Sequence, residues 1–297
     1  MSFRQTYKGI FQFKDQATLE RAMFENQAEA MGADAMGLQE CYHSPGVMLI
    51  DIDTKSSLQD WEEMAVAIAT LAMHASMGFC YALAYDGGLT GPRSEYFRAS
   101  GEPLNPVDGG SALKPEDDFF PFQVGTSYEF AAHGLGEYDQ VVWTVNELMV
   151  GKQSFPFLKD ATNRVIHFND FWEGTYFRKR GALVDLVLAS DEDDLMAMDF
   201  EDRYTFQQVY SSNSEVGDTH YAIWMDGDHF LQFTVEAFED LDLPIGKLAG
   251  CMKVRMDLYH VMGSRMFHEV QHQYMAKGYG LVKWEKGDAS LALRARF

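Results

Sequence analysis

The stretch WEEMAVAIATLAMHASMGFCYALAY, residues 61–85, carries the clearest pattern for the fold of this chain. Its first half places Trp61, Met64 and Ile68 at helical spacing, with acidic residues close to its start, which predicts an amphipathic helix. Its second half, residues 79–85, is a short and almost entirely apolar run, which predicts a buried strand. A helix followed by a strand is therefore expected here.

The residues upstream of this stretch extend the same alternation of elements. Apolar and polar residues alternate over 7–14, which predicts a strand, and Asp15 can cap a helix that follows it. Two short strands are expected at 38–43 and 47–52, on either side of a Ser-Pro-Gly turn. The order β-α-β-β-α-β is that of a ferredoxin-like unit, predicted over residues 1–98.

The residues downstream divide into a linker and a second part. Five of the eight prolines lie between Pro92 and Pro121, together with several glycines, which predicts a Pro/Gly-rich linker over 99–124. A second α+β domain is expected over 125–297, with antiparallel hairpins such as the one around Asp226-Gly227. Within it we predict a short helix at 139–150, a buried strand at 183–188 and two closing strands at 280–284 and 290–297. We also predict a long C-terminal helix, from residue 245 to about 278. The fold class predicted for the whole chain is α+β.

The charge of the chain excludes one broad class of partner. The 297 residues include 45 Asp and Glu against 24 Lys and Arg, and the formal net charge is -21. A chain this acidic repels a phosphate backbone, so no nucleic-acid partner is expected. From Lys247 onward basic residues outnumber acidic ones, so the acidic excess belongs to the residues before it.

The location of the protein is predicted from features that the sequence lacks. The start of the chain shows no apolar leader, and the long apolar stretch at 64–85 is broken by His74 and a Ser-Met-Gly turn. The three cysteines are far apart and show no paired spacing, which is typical of reduced thiols. The sequence therefore predicts a cytoplasmic protein with no membrane partner.

The densest acidic run predicts the leading function. It comprises Asp191, Glu192, Asp193, Asp194, Asp199, Glu201 and Asp202. Such a run is either the solvated start of a helix or a docking surface for a basic protein partner. With no P-loop, no dinucleotide-binding glycine motif and no G-x-S-x-G serine-hydrolase motif in the chain, we predict a stoichiometric inhibitor or immunity-type neutraliser that blocks a basic partner. The bias toward aromatic residues, 14% of the chain, suits interface anchors.

The sequence HEVQH, residues 268–272, supports an alternative function. On a helix His268 and His272 share one face and could bind one Zn²⁺, while Glu269 activates a water molecule as the catalytic base. The motif resembles the signature of the zincin metalloproteases, which implies a zinc-dependent hydrolase. The third ligand would be Glu285 or Asp288. The competing interpretation is an amphipathic helix without metal or any cofactor. A third possibility is a structural or assembly subunit, and the sequence predicts no oligomeric state.

Overall fold

The computed structural model divides the chain into two compact units. The first comprises Met1–Val107 with His260–Phe267, and the second comprises Asp108–Tyr259 with His268–Phe297. The structure describes residues 3–29, 41, 43–44, 46–85, 93–99, 111–136, 138–160, 175–187, 192–197, 206–224, 229–262 and 265–297. The limits predicted for the two domains and the linker stay predictions.

The first unit is an antiparallel sheet with two helices. Its strands are β1 (Phe3–Gln12), β2 (His43–Ser44), β3 (Val47–Ser56), β4 (Met77–Tyr85) and β5 (Arg93–Arg98), and its helices are α1 (Gln16–Glu29) and α2 (Leu58–His74). The strand order is β2-β3-β1-β4-β5. Antiparallel pairing joins β1 to β3 and β4, so the first strand of the chain lies in the middle of the sheet.

The core of the first unit explains why α2 forms. Trp61, Ile68 and Leu71 are spaced along one face of the helix and are buried together with Tyr7 and Phe11 of the sheet. Burial of such an apolar stripe is the main source of stability for a helix in a folded protein. The helix therefore forms where the periodicity of residues 61–75 predicts it.

The second unit consists almost entirely of strands. They are β6 (Ser127–Leu135), β7 (Tyr138–Val150), β8 (Gln153–Asp160), β9 (Phe177–Arg180), β10 (Leu183–Val187), β11 (Phe206–Ser211), β12 (Thr219–Trp224), β13 (His229–Leu243), β14 (Gly246–Met262), β15 (Arg265–Ala276), β16 (Gly280–Lys286) and β17 (Ala289–Arg296). A short helix, α3 (Glu192–Ala197), and a single turn of 3-10 helix at Pro115–Asp117 are the helical elements described in it.

These strands form two sheets that enclose one apolar core. The larger sheet has nine strands in the order β12-β13-β14-β15-β16-β17-β6-β7-β8, and the smaller has three in the order β11-β10-β9. The core contains side chains from both sheets, including Trp143 and Trp284 of the larger sheet and Phe177 and Tyr210 of the smaller. Inward and outward residues therefore alternate along these strands.

The predicted α+β fold class is wrong, because the structure is mostly antiparallel β-sheet. The predicted long C-terminal helix is absent, and its residues form β14 and β15 instead. Met252, Val254, Met256 and Leu258 are all buried, and their spacing of two residues brings these four side chains to one face of a strand. The segment 139–150, predicted as a short helix, is likewise part of a strand, β7.

Several predicted features lie outside the described residues. These are the strand at 38–43, except for residues 41 and 43, residues 100–110 of the predicted linker, and the turn between β12 and β13. The two strands that flank this turn are described, and they pair antiparallel from Thr219↔Thr234 to Trp224↔His229.

Candidate functional site

One face of strands β13–β16 carries a connected set of charged side chains. Alternate residues of a strand point to the same side of a sheet, so polar residues spaced by two on neighbouring strands meet on that side. We call this set the ionic face; its members are Glu236, Lys253, Arg255, Asp257, His268, His272, Tyr274, Lys283 and Glu285. Three carboxylates and three Lys or Arg side chains balance one another within it, so its formal charge is neutral when both histidines are neutral.

Glu236 joins three strands at the middle of the ionic face. Its Oε2 lies 3.2 Å from Nζ of Lys253 and 3.3 Å from Nε2 of His272. All three side chains are only about one quarter to one third exposed, so solvent screens these pairs incompletely. The carboxylate therefore bridges β14 and β15 electrostatically.

Tyr274 lies next to this bridge, and its hydroxyl donates a hydrogen bond of 2.8 Å to Oε2 of Glu285. Burial raises the pKa of Tyr274, and the negative charges of Glu285, Glu239 and Glu236 raise it further. Burial also raises the pKa of Glu285, but hydrogen bonds from Lys283 and Tyr274 outweigh this effect and hold it below its usual value. Glu285, Lys283 and Tyr274 therefore form one paired network at this end of the face.

Asp257 forms the other end of the ionic face and is nearly inaccessible to solvent. Its Oδ1 accepts from Nη2 of Arg255 at 2.7 Å and lies 2.8 Å from Nε2 of His268. The His268 ring stacks on Tyr259, with centroids 4.4 Å apart. The hydrogen bond to Asp257 raises the pKa of Arg255, and burial raises the pKa of Tyr259 to about 12.

The structure does not bring together the residues of the HEVQH motif. The motif lies on β15 instead of a helix, and four residues of strand separate His268 from His272 by about 13 Å. Glu269 points to the opposite side of the sheet, where it pairs with Lys286, because odd and even residues of a strand face opposite ways. A single Zn²⁺ needs ligand atoms at about 2 Å.

The candidate third ligands are also separated from one another. Glu285 binds Tyr274 and Lys283, while Asp288 belongs to the turn between β16 and β17. Among the described residues, no three His, Cys, Asp or Glu side chains are grouped so that they could hold a metal ion. The helix on which the zinc hypothesis depended is absent, and zinc binding stays an untested prediction without a geometric basis.

The acidic run predicted as a docking surface is only partly described. Glu192–Ala197 form α3, in which Asp193 is exposed and Leu195 is fully buried. Asp191, Asp199, Glu201 and Asp202 lie outside the described residues, as do the side chains of Glu192 and Asp194. The run therefore stays a prediction.

A different acidic surface appears where β13 approaches its turn into β14. Glu239, Asp240 and Asp242, which we call the acidic end, are all exposed and precede the Pro-Ile turn at 244–245. Within the described part of the chain none of the three forms an ion pair. The neighbouring Phe238 exposes 42% of its surface. The sequence EAFEDLD, residues 236–242, contains this acidic cluster. It was not predicted as a binding surface because it directly precedes the predicted C-terminal helix.

The potential of the acidic end reaches the buried thiol of Cys251. Burial raises the pKa of Cys251 to about 11, and the charges of Asp240 and Glu239 contribute to this rise. Glu239 also raises the pKa of Tyr274. Glu239 therefore acts on two separate groups, Cys251 and Tyr274.

The basic triplet Arg178-Lys179-Arg180 is paired within the fold. Arg178 and Arg180 both donate to the carboxylate of Asp185, at 2.6–3.0 Å. Lys179 points the other way and lies 2.8 Å from Oδ1 of Asp118. Burial lowers the pKa of Lys179, and Asp118 offsets part of that shift. The triplet thus stabilises the second unit.

Comparisons with known proteins yield only distant structural neighbours. No family model matches the chain, and no curated protein matches it significantly. A protein of Bacteroides fragilis, assigned as exported and with a YmcC-like fold, aligns with a TM-score of 0.35 at 11% identity over 61% of this chain and 99% of its own. A protein of Parabacteroides distasonis, assigned as a lipoprotein, aligns with a TM-score of 0.34 at 12% identity over 61% and 98%.

TM-scores of this size do not establish a common fold, so neither structure contributes to the proposals below. The two neighbours are described as an exported protein and a lipoprotein, whereas the sequence predicted a cytoplasmic protein, and that prediction is withdrawn. Within the described residues, no helix combines the length and the hydropathy that crossing a membrane requires.

Proposed function

We propose that this protein binds a basic protein partner through the acidic end of β13, formed by Glu239, Asp240 and Asp242. The proposal rests on one observation. These three carboxylates are exposed and, among the described residues, form no ion pair with a basic side chain, in a chain with a net charge of -21. Unpaired surface carboxylates of one sign attract a cationic surface and speed its encounter. The proposal moves the contact from the run at 191–202 to a described surface.

Phe238 supplies the apolar component that such a surface needs. It precedes the acidic residues directly and is 42% exposed, while its ring lies 6.0 Å from that of Phe119. Aromatic side chains that are partly held by the protein and partly exposed are frequent anchors of protein interfaces. The charges would then guide the encounter, and the ring would lengthen the lifetime of the complex.

The ionic face is a weaker candidate for the same contact. Its carboxylates already have partners, such as Lys253 for Glu236 and Lys283 for Glu285. A partner's lysine would have to displace these ion pairs, at the cost of breaking favourable contacts. We therefore assign it a structural role, and the specific form of the function, an inhibitor or immunity-type neutraliser, stays a prediction.

A charge-neutralising variant tests this proposal. Glu239→Gln/Asp240→Asn/Asp242→Asn removes three charges and keeps the size of each side chain, and Asn at 240 retains an acceptor for the N–H of Gly250. With a decalysine peptide as probe at about 20 mM salt, we expect affinity to fall by about tenfold or more, and wild-type affinity to fall steeply by about 150 mM salt. Fluorescence anisotropy measures both effects.

The matched control removes the same number of charges from another exposed region. Glu116→Gln/Asp117→Asn/Asp139→Asn changes three exposed carboxylates of the second unit and is expected to lower the affinity by less than about threefold. Basic proteins retained from the native source by wild type and control, but lost from the test variant, would identify the partner. Equal losses of affinity in both triple variants would show that only net charge matters and would refute the proposed surface.

A further inference from the structure

The strand β13 extends beyond the neighbour that pairs with it on one side. β12 pairs only with the first part of β13. The last backbone contacts on this side are made by Val235, whose N–H donates to the carbonyl of Asp218 at 2.9 Å and whose carbonyl accepts from the N–H of Gly217 at 2.8 Å. Among the described residues, no strand pairs with this side of β13 beyond that point. We call this side of residues 236–242 the open edge.

The backbone groups of the open edge point away from β14, the other neighbour of β13. In an antiparallel sheet, alternate residues of a strand direct their N–H and C=O groups to the same side. Val235 directs both groups toward the β12 side, so Ala237, Glu239 and Leu241 direct theirs to that side as well, past the end of β12. Phe238 and Glu239 are exposed, which leaves access for another chain. A row of backbone donors and acceptors without a neighbouring strand is a template for strand addition.

The side chains of the open edge select the charge of a strand that could pair there. Asp240 and Asp242 share one face of β13, and Glu239 lies on the other; all three are exposed. A second copy of this edge, or any other acidic strand, would bring like charges next to one another, which is destabilising. A basic strand instead meets a carboxylate on each of its two faces, so the edge disfavours self-association and favours a cationic occupant.

We infer that the basic partner binds through an extended segment that adds as a strand to the open edge of β13. The inference rests on the proposed function and specifies its binding mode. Backbone hydrogen bonds to the open edge supply part of the affinity, and lysine or arginine side chains of the segment pair with the carboxylates. The edge fits a segment of about seven residues with basic side chains at successive positions, because successive side chains lie on opposite faces.

Two peptides of identical charge and composition test the binding mode. Decalysine made of L-residues can extend as a strand, whereas decalysine of alternating L- and D-lysine cannot, because D-residues favour the mirror-image backbone. We expect wild type to bind the L-peptide about fivefold or more tightly than the mixed peptide, measured by fluorescence anisotropy at about 20 mM salt. Equal affinities would overturn strand addition and leave the acidic end as a docking surface. Binding of neither peptide would refute the proposed function together with this inference.

Hydrogen exchange locates the added strand. With the L-peptide bound, the amides of Ala237, Glu239 and Leu241 should exchange about tenfold or more slowly than in the unbound protein. The amides of Phe238 and Asp240 point toward β14, so their exchange should change little. Slowing of both sets to the same extent, or of neither set, would contradict pairing at the open edge. Nuclear magnetic resonance resolves the individual amides.

A proline substitution blocks the open edge without changing its charge. Ala237→Pro removes an N–H that faces away from β14, and proline is tolerated at such positions of edge strands. We expect this variant to bind the L-peptide about fivefold more weakly, no better than it binds the mixed peptide. Val124→Pro is the control, because Val124 is 53% exposed and is the second residue of the turn closed by the bond from Thr126 N–H to Gln123 O, a position that accepts proline. It should leave the affinity unchanged.

The proline variant also gives two outcomes that would overturn the inference. A folded Ala237→Pro protein that keeps the full preference for the L-peptide would exclude strand addition at this edge. A wild-type dimer in sedimentation velocity that Ala237→Pro dissociates would assign the edge to a second copy of this chain. If Ala237→Pro does not fold, the comparison of the two peptides on wild type decides.

Discussion

At the scale of single residues, Asp185 shows how buried charge is handled in this protein. Its side chain is 1% exposed, and two arginines of the neighbouring strand enclose it. Burial lowers the pKa of Arg178, and its hydrogen bond to Asp185 opposes this shift. An ionised carboxylate at this depth persists only because it is fully hydrogen-bonded to its partners.

Removal of this charge gives the first stability prediction. Asp185→Asn leaves Arg178 and Arg180 facing one another with no anion between them, so we expect a loss of about 3 kcal/mol in the free energy of unfolding. This value is at the low end for a buried pair because both arginines keep some contact with solvent. Urea denaturation followed by tryptophan fluorescence measures it.

Asp139→Asn is the control, since Asp139 is exposed and such a change alters stability by less than about 0.5 kcal/mol. The double variant Asp185→Asn/Arg180→Gln should recover part of the loss by removing one of the two repelling cations. Equal stability of Asp185→Asn and the control would contradict the structural role of the pair.

At the scale of elements, the capping box at the start of α2 lies one residue further along the chain than the sequence pattern predicts. Spacing predicts a capping box at Ser56 and Gln59. In the structure, Oγ of Ser57 accepts from the backbone N–H of Asp60, and the carboxylate of Asp60 accepts from the backbone N–H of Ser57. Both pairs satisfy the i, i+3 spacing, so only the backbone geometry at the helix start distinguishes them.

The second stability prediction concerns this cap. Ser57→Ala removes one of the two reciprocal bonds, and we expect it to destabilise the helix by about 1 kcal/mol. Hydrogen exchange of the amides in residues 58–74 should accelerate about fivefold. Gln59→Ala changes an exposed residue of the same turn whose side-chain amide donates to Glu63, and its effect should be a few tenths of a kcal/mol at most. Unchanged exchange in Ser57→Ala would show that the cap contributes nothing.

Also at this scale, β15 shows why a motif cannot be interpreted without its secondary structure. Residues four apart share a face on a helix and on a strand alike, so His268 and His272 satisfy both geometries. The helix and the strand differ in the distance between the two histidines and in the side to which Glu269 points. The structure gives each histidine its own carboxylate, Asp257 and Glu236, and therefore separates residues that the metal hypothesis required to converge.

At the scale of the whole molecule, the net charge of -21 opposes compaction through self-repulsion. We expect the melting temperature to rise when NaCl increases from about 20 to about 300 mM, because salt screens this repulsion. A gain of about 1 kcal/mol would raise the melting temperature by about 2–4 °C for a domain of this size. Scanning calorimetry at matched pH measures the change.

A melting temperature that does not rise, or that falls, would show that local ion pairs such as those of the ionic face dominate the electrostatics. Salt weakens attractive pairs and repulsion alike, so the sign of the change decides between them. The triple variant of the acidic end should show a smaller salt effect than wild type, because it carries three fewer negative charges.

The sequence by itself determined those features that depend on near neighbours in the chain. The helix at 58–74, the strand at 183–187 and the last two strands follow from periodicity and turn residues, because these signals act over a few residues. The acidic excess is likewise a property of composition.

Only the tertiary structure decided that residues 246–262 and 265–276 are strands. Their apolar residues satisfy a helical and an extended pattern in part, and pairing with neighbouring strands selects the extended form by satisfying their backbone groups. The exposure of Glu239, Asp240 and Asp242 is also decided there. It results from contacts between distant segments of the chain, and no local pattern specifies which side chains such contacts leave exposed.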